Sequence, residues 1–192
     1  MDHAQQVPAQ PTTLNGIDLT ALATAGAALA SDPTLAPVTF RASTSWRGAF
    51  RTVTEIADYD IGGNTVSRRH RIVTDEPLEI LGGDSAPNPQ DLILAALGSC
   101  MMVGFVAGAT QRGIRIESLR IDTACSFDLR GAFGLDPSLP PGATVFHYTI
   151  RVSAPGASAD ALREIHDEVK ARSPNRFHLT TPIRMESSLV VE

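Results

Sequence analysis

Cysteine is almost absent from this chain. Its 192 residues contain two, Cys100 and Cys125, too far apart for a CxxC redox pair and too few for a disulfide framework. Histidine is sparse and scattered, and the five present never fall at HxxxH or HExxH spacing, so no metal site is expected. There is no GxSxG elbow, no phosphate-binding glycine loop and no dinucleotide fingerprint, and no cofactor is called for. Nor is there a block of basic residues: Lys and Arg number 16 against 21 Asp and Glu, for a net charge of -5. That balance argues against nucleic acid as a partner. The opening MDHAQQVPAQPTT lacks a basic stretch followed by an apolar one, the mark of a secretory signal. A reducing cytoplasm is therefore the expected location.

What is present belongs to a globular domain: 43% hydrophobic against 19% charged residues, a proportion that supports one sizeable core. Residues 1–14 read as a mobile tail, and 15–31 as a short Ala-rich helix with Asn15 as a candidate cap, ended by Asp32-Pro33. Residues 1–35 thus form an N-terminal extension ahead of a domain spanning 36–192. Val38 to Trp46 and Ala49 to Ala57 suit a β-hairpin turning at Arg47-Gly48, and Arg68 to Thr74 a further strand. Gly62-Gly63 and the cluster GGDSAPNP (82–89) mark turns. Leu119 to Leu129 alternate, with Leu119, Ile121, Thr123, Cys125, Phe127 and Leu129 on one face. Phe146, Tyr148, Ile150 and Val152 form the inner face of another strand. Ser158 opens an amphipathic helix with Leu162, Ile165 and Val169 in line, ending near Arg172-Ser173-Pro174, and 183–191 suit a last strand.

One segment carries the candidate chemistry. Asn88 is a good helix cap, Pro89 suits the first helical position, and Asp91 stands where a capping-box acid belongs. From Leu92 to Ala109 there is no charged residue. That length approaches a membrane span, but the soluble-type cap, the Gly and Ala content and the lack of an aromatic belt argue against a membrane. A helix apolar all round is otherwise buried all round. A chain this short does not readily surround one, so an obligate homodimer with these helices at its centre is expected. Gly104 and Gly108, four residues apart, leave room for a close helix neighbour. Cys100 lies three turns into this helix. Its plain role is a small buried hydrophobe. A nucleophilic role needs a thiolate, and mid-helix the macrodipole gives little help. A cation must then come from elsewhere, with Arg47 and Arg51 of the first hairpin as candidates. Cys125 reads as a packed thiol. A Cys100–Cys125 disulfide would require Cα atoms within about 7 Å.

The segment PNPQDLILAALGSCMMVGFVAGATQRGIRIESLRIDTACSFDLRGAFGLD (87–136), with TSWRGAFRTVTEI (44–56), RHRIVTDEP (69–77), the turn at 140–142 and ARSPNRFHLTTPI (171–183), resembles the OsmC/Ohr superfamily over about residues 36–192. The resemblance implies an α+β fold in which two subunits intertwine, with antiparallel sheets wrapped around buried central helices. It also implies reduction of organic hydroperoxides by a helix cysteine, which becomes a sulfenic acid and is resolved by a second cysteine, with an Arg and a Glu holding the thiolate ready. Carried over by position, Cys100 matches the attacking cysteine and Arg51, or else Arg47, the activating arginine. The supporting Glu falls at Gln90, with Asp91 adjacent but turned about 100° around the helix. The resolving cysteine falls at Ser173.

Two of four positions therefore depart from the family pattern. The leading expectation is a thiol peroxidase with Cys100 as nucleophile, Arg51 as stabiliser, Gln90 orienting and an external thiol as reductant. Its apolar pocket is expected at the dimer interface, lined by Met101, Met102 and Phe105. The rivals are a Cys100 enzyme of other chemistry (adduct formation, acyl or sulfur transfer) and a non-enzymatic binder of an apolar small molecule.

Overall fold

The computed structural model describes residues 13–191, so the tail expected at 1–14 lies outside the described residues up to position 12. Contacts divide the chain after Leu92 into two units, and the secondary structure is mixed α+β with antiparallel sheets.

In the first unit, β1 (Thr13–Leu14) and β2 (Ile17–Asp18) form a hairpin. Its turn is Asn15-Gly16, with φ of 53° and 78°, the left-handed pair a two-residue hairpin loop requires. Asn15 therefore makes a turn and is not the helix cap. The cap is Asp18, whose carboxylate accepts the Ala21 N–H at 2.9 Å, and α1 runs Leu19–Ser31. Asp32 ends α1 as expected and caps the 3-10 turn Pro33–Leu35. The long first strand expected at Val38–Trp46 is two strands, β3 (Val38–Thr39) and β4 (Ala42–Trp46). The break has a cause in its side chains. Phe40 stacks on Tyr59 with ring centroids 5.4 Å apart, the Arg68 guanidinium covers both rings at 5.4 and 4.6 Å, and Arg41 bonds Asp60 at 2.6 Å. These contacts hold β3 in a sheet of order β3-β6-β7, where β6 is Tyr59–Ile61 and β7 Asn64–Val66, joined at Gly62-Gly63. Meanwhile β4 pairs with β5 (Thr52–Ile56), and β5 with β8 (His70–Thr74). The hairpin at Arg47-Gly48 is present, closed by Arg47 N–H to the Arg51 carbonyl at 2.9 Å.

The turn cluster ahead of the apolar helix is organised by Asp75. Its carboxylate accepts the Ser85 hydroxyl at 2.7 Å, the Glu76 N–H at 2.9 Å and the Ser85 N–H at 3.2 Å. Those bonds, the Ser85 hydroxyl first, hold the Asp75 carboxyl down to about 2. Gly82 passes so close to this loop that a Cβ there would sit 1.8 Å from the Glu76 carbonyl oxygen.

Helix α2 runs Pro89–Gln111, and its start matches the sequence signal. Asn88 Oδ1 accepts the Asp91 N–H at 2.8 Å, and Asp91 Oδ2 accepts the Asn88 N–H at 3.0 Å, a reciprocal capping box. By length and composition α2 could cross a membrane. Leu97, Met101, Phe105 and Ala109 are buried along one stripe of it, with Thr110 beside them, and most of the remaining apolar surface is not covered within this chain. In the second unit, β9 (Ser118–Cys125) pairs antiparallel with β10 (Phe146–Ser153), from Ser118↔Ser153 to Cys125↔Phe146. β9 ends at Cys125 rather than Leu129, because Asp128 caps a short helix α3 (Leu129–Ala132) and takes Phe127 and Leu129 out of the alternation. Helix α4 (Ala159–Arg172) is capped by Ser158 as the sequence suggested. A helix not anticipated, α5 (Pro174–Thr180), follows at once. Leu97, Met101, Phe105 and Ala109 of α2 pack with Ile165 and Val169 of α4 over the inner face of the β9–β10 pair. Each large apolar side chain so buried is worth about 1.5–3 kcal/mol.

The final strand expected at 183–191 does not form. The segment is irregular, and Met185, Leu189, Val190 and Val191 are exposed. Alternating apolar residues make a strand only where an edge offers hydrogen bonds, and none pairs with this segment among the described residues.

Candidate active site

Cys100 lies on the side of α2 turned toward α4 and α5, all within the second unit. The two glycines that mark this side let α4 close in. A Cβ on Gly104 would stand 3.3 Å from Val169 methyls, and one on Gly108 would stand 3.2 Å from Ile165 Cγ2. The sequence called for a close helix neighbour here, and α4 of the same chain supplies it. Beside this contact runs a groove of about 550 Å³. Its α2 wall is Ser99, Cys100, Val103, Gly104, Ala107, Gly108 and Gln111, and α4 contributes Ile165, Glu168, Val169 and Arg172.

Ser173 closes the groove at the sulfur. It is the one residue between α4 and α5, and it serves both. Its N–H bonds the Val169 carbonyl at 2.9 Å, ending α4. Its Oγ accepts the Arg176 N–H at 3.3 Å, starting α5. The hydroxyl donates its hydrogen to Cys100 Sγ at 3.2 Å. Only 6% of Ser173 is exposed, so water competes little for this bond. Asn175 fixes α5 to α2 by donating from Nδ2 to the Ala96 carbonyl at 2.8 Å. Ala96 is the residue four before Cys100, whose carbonyl the Cys100 N–H reaches in a regular helix. The backbone that carries the sulfur is thereby tied to the helix that carries the hydroxyl donor. At the rim, Arg112 Nη2 bonds Glu168 Oε1 at 2.5 Å, while Arg172 Nη1 stands 3.8 Å from Glu168 Oε2.

The other sequence candidates fall as follows. Both cysteines are free thiols, and α2 stands between them. Thr123, two residues before Cys125 on the same face of β9, touches α2 at Gly98, with its methyl 3.6 Å from a Cβ built there. Gly98 and Cys100 are about 200° apart around the helix, so the face of Cys125 is opposite the sulfur of Cys100. Met101 and Phe105 are 0% and 1% exposed in the core. They do not line the groove, and neither does half-buried Met102. The lining instead follows the helical steps from Cys100 to Val103, Gly104 and Ala107, a phase that was available in the sequence. Asp91 is committed to the capping box. Arg47 and Arg51 are exposed at the tip of the β4–β5 hairpin, and Gln90 is half-buried in the first turn of α2. All four belong to the first unit. Among the described residues no three His, Cys, Asp or Glu side chains gather to hold a metal. Asn175 and Arg172 were missed. The Ser173-Pro174 pair is itself a helix-start signal and would have placed α5, and with it Asn175.

The second unit thus presents a thiol on a core helix, held by a hydroxyl at the head of an apolar groove, in an α+β protein. The OsmC-like protein family model matches residues 82–188, a span that includes the whole groove, and the chain belongs to that family. The fold is shared with an OsmC-like protein from Mycoplasma pneumoniae at 16% identity and a TM-score of 0.56, over 73% of this chain and 86% of that one. It is shared equally with an OsmC-like protein from Vibrio cholerae at 14% identity and a TM-score of 0.53, over 74% and 94%. An organic hydroperoxide resistance protein OsmC from Legionella pneumophila aligns over 74% and 89% at 15% identity, with a TM-score of 0.47. Among curated proteins nothing matches.

Proposed function

We propose that the protein is a thiol peroxidase for organic hydroperoxides that works through Cys100 and is recycled by an external thiol. One observation carries this reading: the Ser173 hydroxyl donates to Cys100 Sγ at 3.2 Å at the head of an apolar groove. The hydroxyl fixes the sulfur at the groove, and the thiolate is the form in which a cysteine attacks. The thiolate attacks the outer oxygen of ROOH, the O–O bond breaks, and the alkoxide leaves as ROH after taking a proton. Cys100 is left as a sulfenic acid. The apolar walls favour an alkyl substrate over hydrogen peroxide. Arg51, or else Arg47, is assigned as the cation and Gln90 as its orienting partner, on the strength of the family pattern. The protein acts as a cytoplasmic homodimer, with residues 36–192 as the OsmC-like domain and 1–35 as an extension. Support for the dimer is the uncovered side of α2, where Ile93 and Val103 are exposed, the latter by 70%. A second copy on that side would complete the burial of an uncharged helix and wall the open side of the groove.

The test is stopped-flow turnover of cumene hydroperoxide with a thiol reductant. Wild type is expected to turn over, and Cys100→Ser to fall to the uncatalysed rate. Equal inertness of the two removes the proposal, and ligand retention by Cys100→Ala would then favour an apolar-binder role.

A further inference from the structure

Resting on the peroxidase reading, we propose that the reductant of oxidised Cys100 is a low-molecular-weight thiol bearing a carboxylate, taken up in the α2–α4 groove with its carboxylate on Arg172.

The groove leaves few other ways to recycle the sulfur. The group touching Cys100 Sγ is the hydroxyl of Ser173, which reduces nothing. Cys125 faces away across α2, as the Thr123 contact at Gly98 shows. A second sulfur must therefore enter from solvent, and the opening next to Sγ is the groove. A cavity of about 550 Å³ admits a small thiol together with the tail it carries.

The rim supplies the recognition. Arg172 directly precedes Ser173, so its Cα is about 3.8 Å from that of the residue whose hydroxyl holds the sulfur. Arg172 lines the same groove, with its side chain largely exposed to solvent. Its acidic neighbour is occupied: one Glu168 oxygen is taken by Arg112 at 2.5 Å, and the other stands 3.8 Å from Arg172, beyond hydrogen-bond length. Arg172 is thus ion-paired with Glu168 without a hydrogen bond to it, and its guanidinium can offer two parallel donors to an incoming carboxylate.

The chemistry closes on that thiol. The incoming thiolate R′S⁻ attacks the sulfur of Cys100–SOH. The S–O bond breaks, an S–S bond forms, and hydroxide takes the thiol's proton and leaves as water. A second R′S⁻ attacks the R′ sulfur of the mixed disulfide and releases Cys100 as thiolate with R′S–SR′. Two thiols are oxidised for each sulfenic acid reduced. In the second displacement the Ser173 hydroxyl supports Cys100 Sγ as the leaving group.

The test begins without peroxide. Cys100 is converted to its 2-thiopyridyl disulfide in the Cys125→Ser background, and thiopyridone release is followed with 3-mercaptopropionate and with 2-mercaptoethanol at equal thiolate concentration. The carboxylate thiol is expected to react about three- to fivefold faster at low salt, the range of one exposed ion pair. Its advantage should shrink in 0.5 M salt, vanish in Arg172→Gln and persist in Arg172→Lys. Equal rates in wild type overturn the proposal, as does an advantage that survives Arg172→Gln. Should Arg172→Gln not fold, the wild-type comparison and its salt dependence decide. Failure here leaves peroxide turnover by Cys100 untouched, and failure of peroxide turnover leaves this measurement standing.

Discussion

The contact between Ser173 and Cys100 makes a quantitative prediction for Ser173→Cys. The Oγ–Sγ separation of 3.2 Å places two side-chain tips about 1 Å from S–S bonding distance, since a C–S bond is longer than C–O and a disulfide spans about 2.05 Å. The introduced thiol should therefore form a disulfide with Cys100 once the latter is oxidised. The bond would close a loop between residues 73 apart. The chain-entropy relation gives about 4 kcal/mol of stabilisation for such a loop, an upper figure because strain subtracts from it. At roughly 2–4 °C per kcal/mol for a chain of this size, the oxidised variant should melt several degrees above its reduced form. Wild type has two thiols and the variant three. One equivalent of cumene hydroperoxide should reduce the variant's titratable thiols from three to one, leaving Cys125. Peptide mapping should show the bridge. If the introduced thiol stays free while Cys100 proceeds to sulfinic acid, and the melting temperature is the same in both redox states, then the two side chains do not meet and the site geometry is wrong.

Two further predictions concern the turn cluster. Gly82→Ala places a methyl 1.8 Å from the Glu76 carbonyl oxygen, which only backbone movement relieves. A loss of about 3 kcal/mol or more is expected in urea unfolding, and a loss below about 1 kcal/mol would show that the loop does not pass so close. The Asp75 carboxyl, held down to about 2 chiefly by the Ser85 hydroxyl, titrates below its unfolded value near 3.9. A depressed acid stabilises fully above its unfolded value and loses that contribution as pH falls through the folded one. Protection of the amides in residues 75–85 against hydrogen exchange should thus fall between about pH 4 and 2, and Ser85→Ala should shrink that fall. An undiminished fall would show that Ser85 does not hold Asp75.

Family and core lay open in the sequence because local chemistry fixes them. Asn88, Pro89 and Asp91 specify where α2 begins with no help from the rest of the chain. The alternation of Phe146, Tyr148, Ile150 and Val152 follows from the two-residue repeat of a strand. Gly104 and Gly108 announced a close helix, although only the structure identifies it as α4. Other features depended on partners far away in sequence. Val38–Thr39 could not be separated from β4 until Phe40 met Tyr59 and Arg68. The segment 183–191 carries a strand's pattern but has no paired edge among the described residues. The site itself was half legible. Position in the helix singled out Cys100, and family likeness pointed to Ser173. That a hydroxyl reaches the sulfur, and that Met101 and Phe105 point into the core while Val103 and Ala107 line the groove, was decided by the way α4 and α5 pack on one side of α2. A helix with no charge from Leu92 to Ala109 does not say in its sequence which face will be covered. The tertiary structure decides it, and so makes Cys100 a thiol with a groove in front of it.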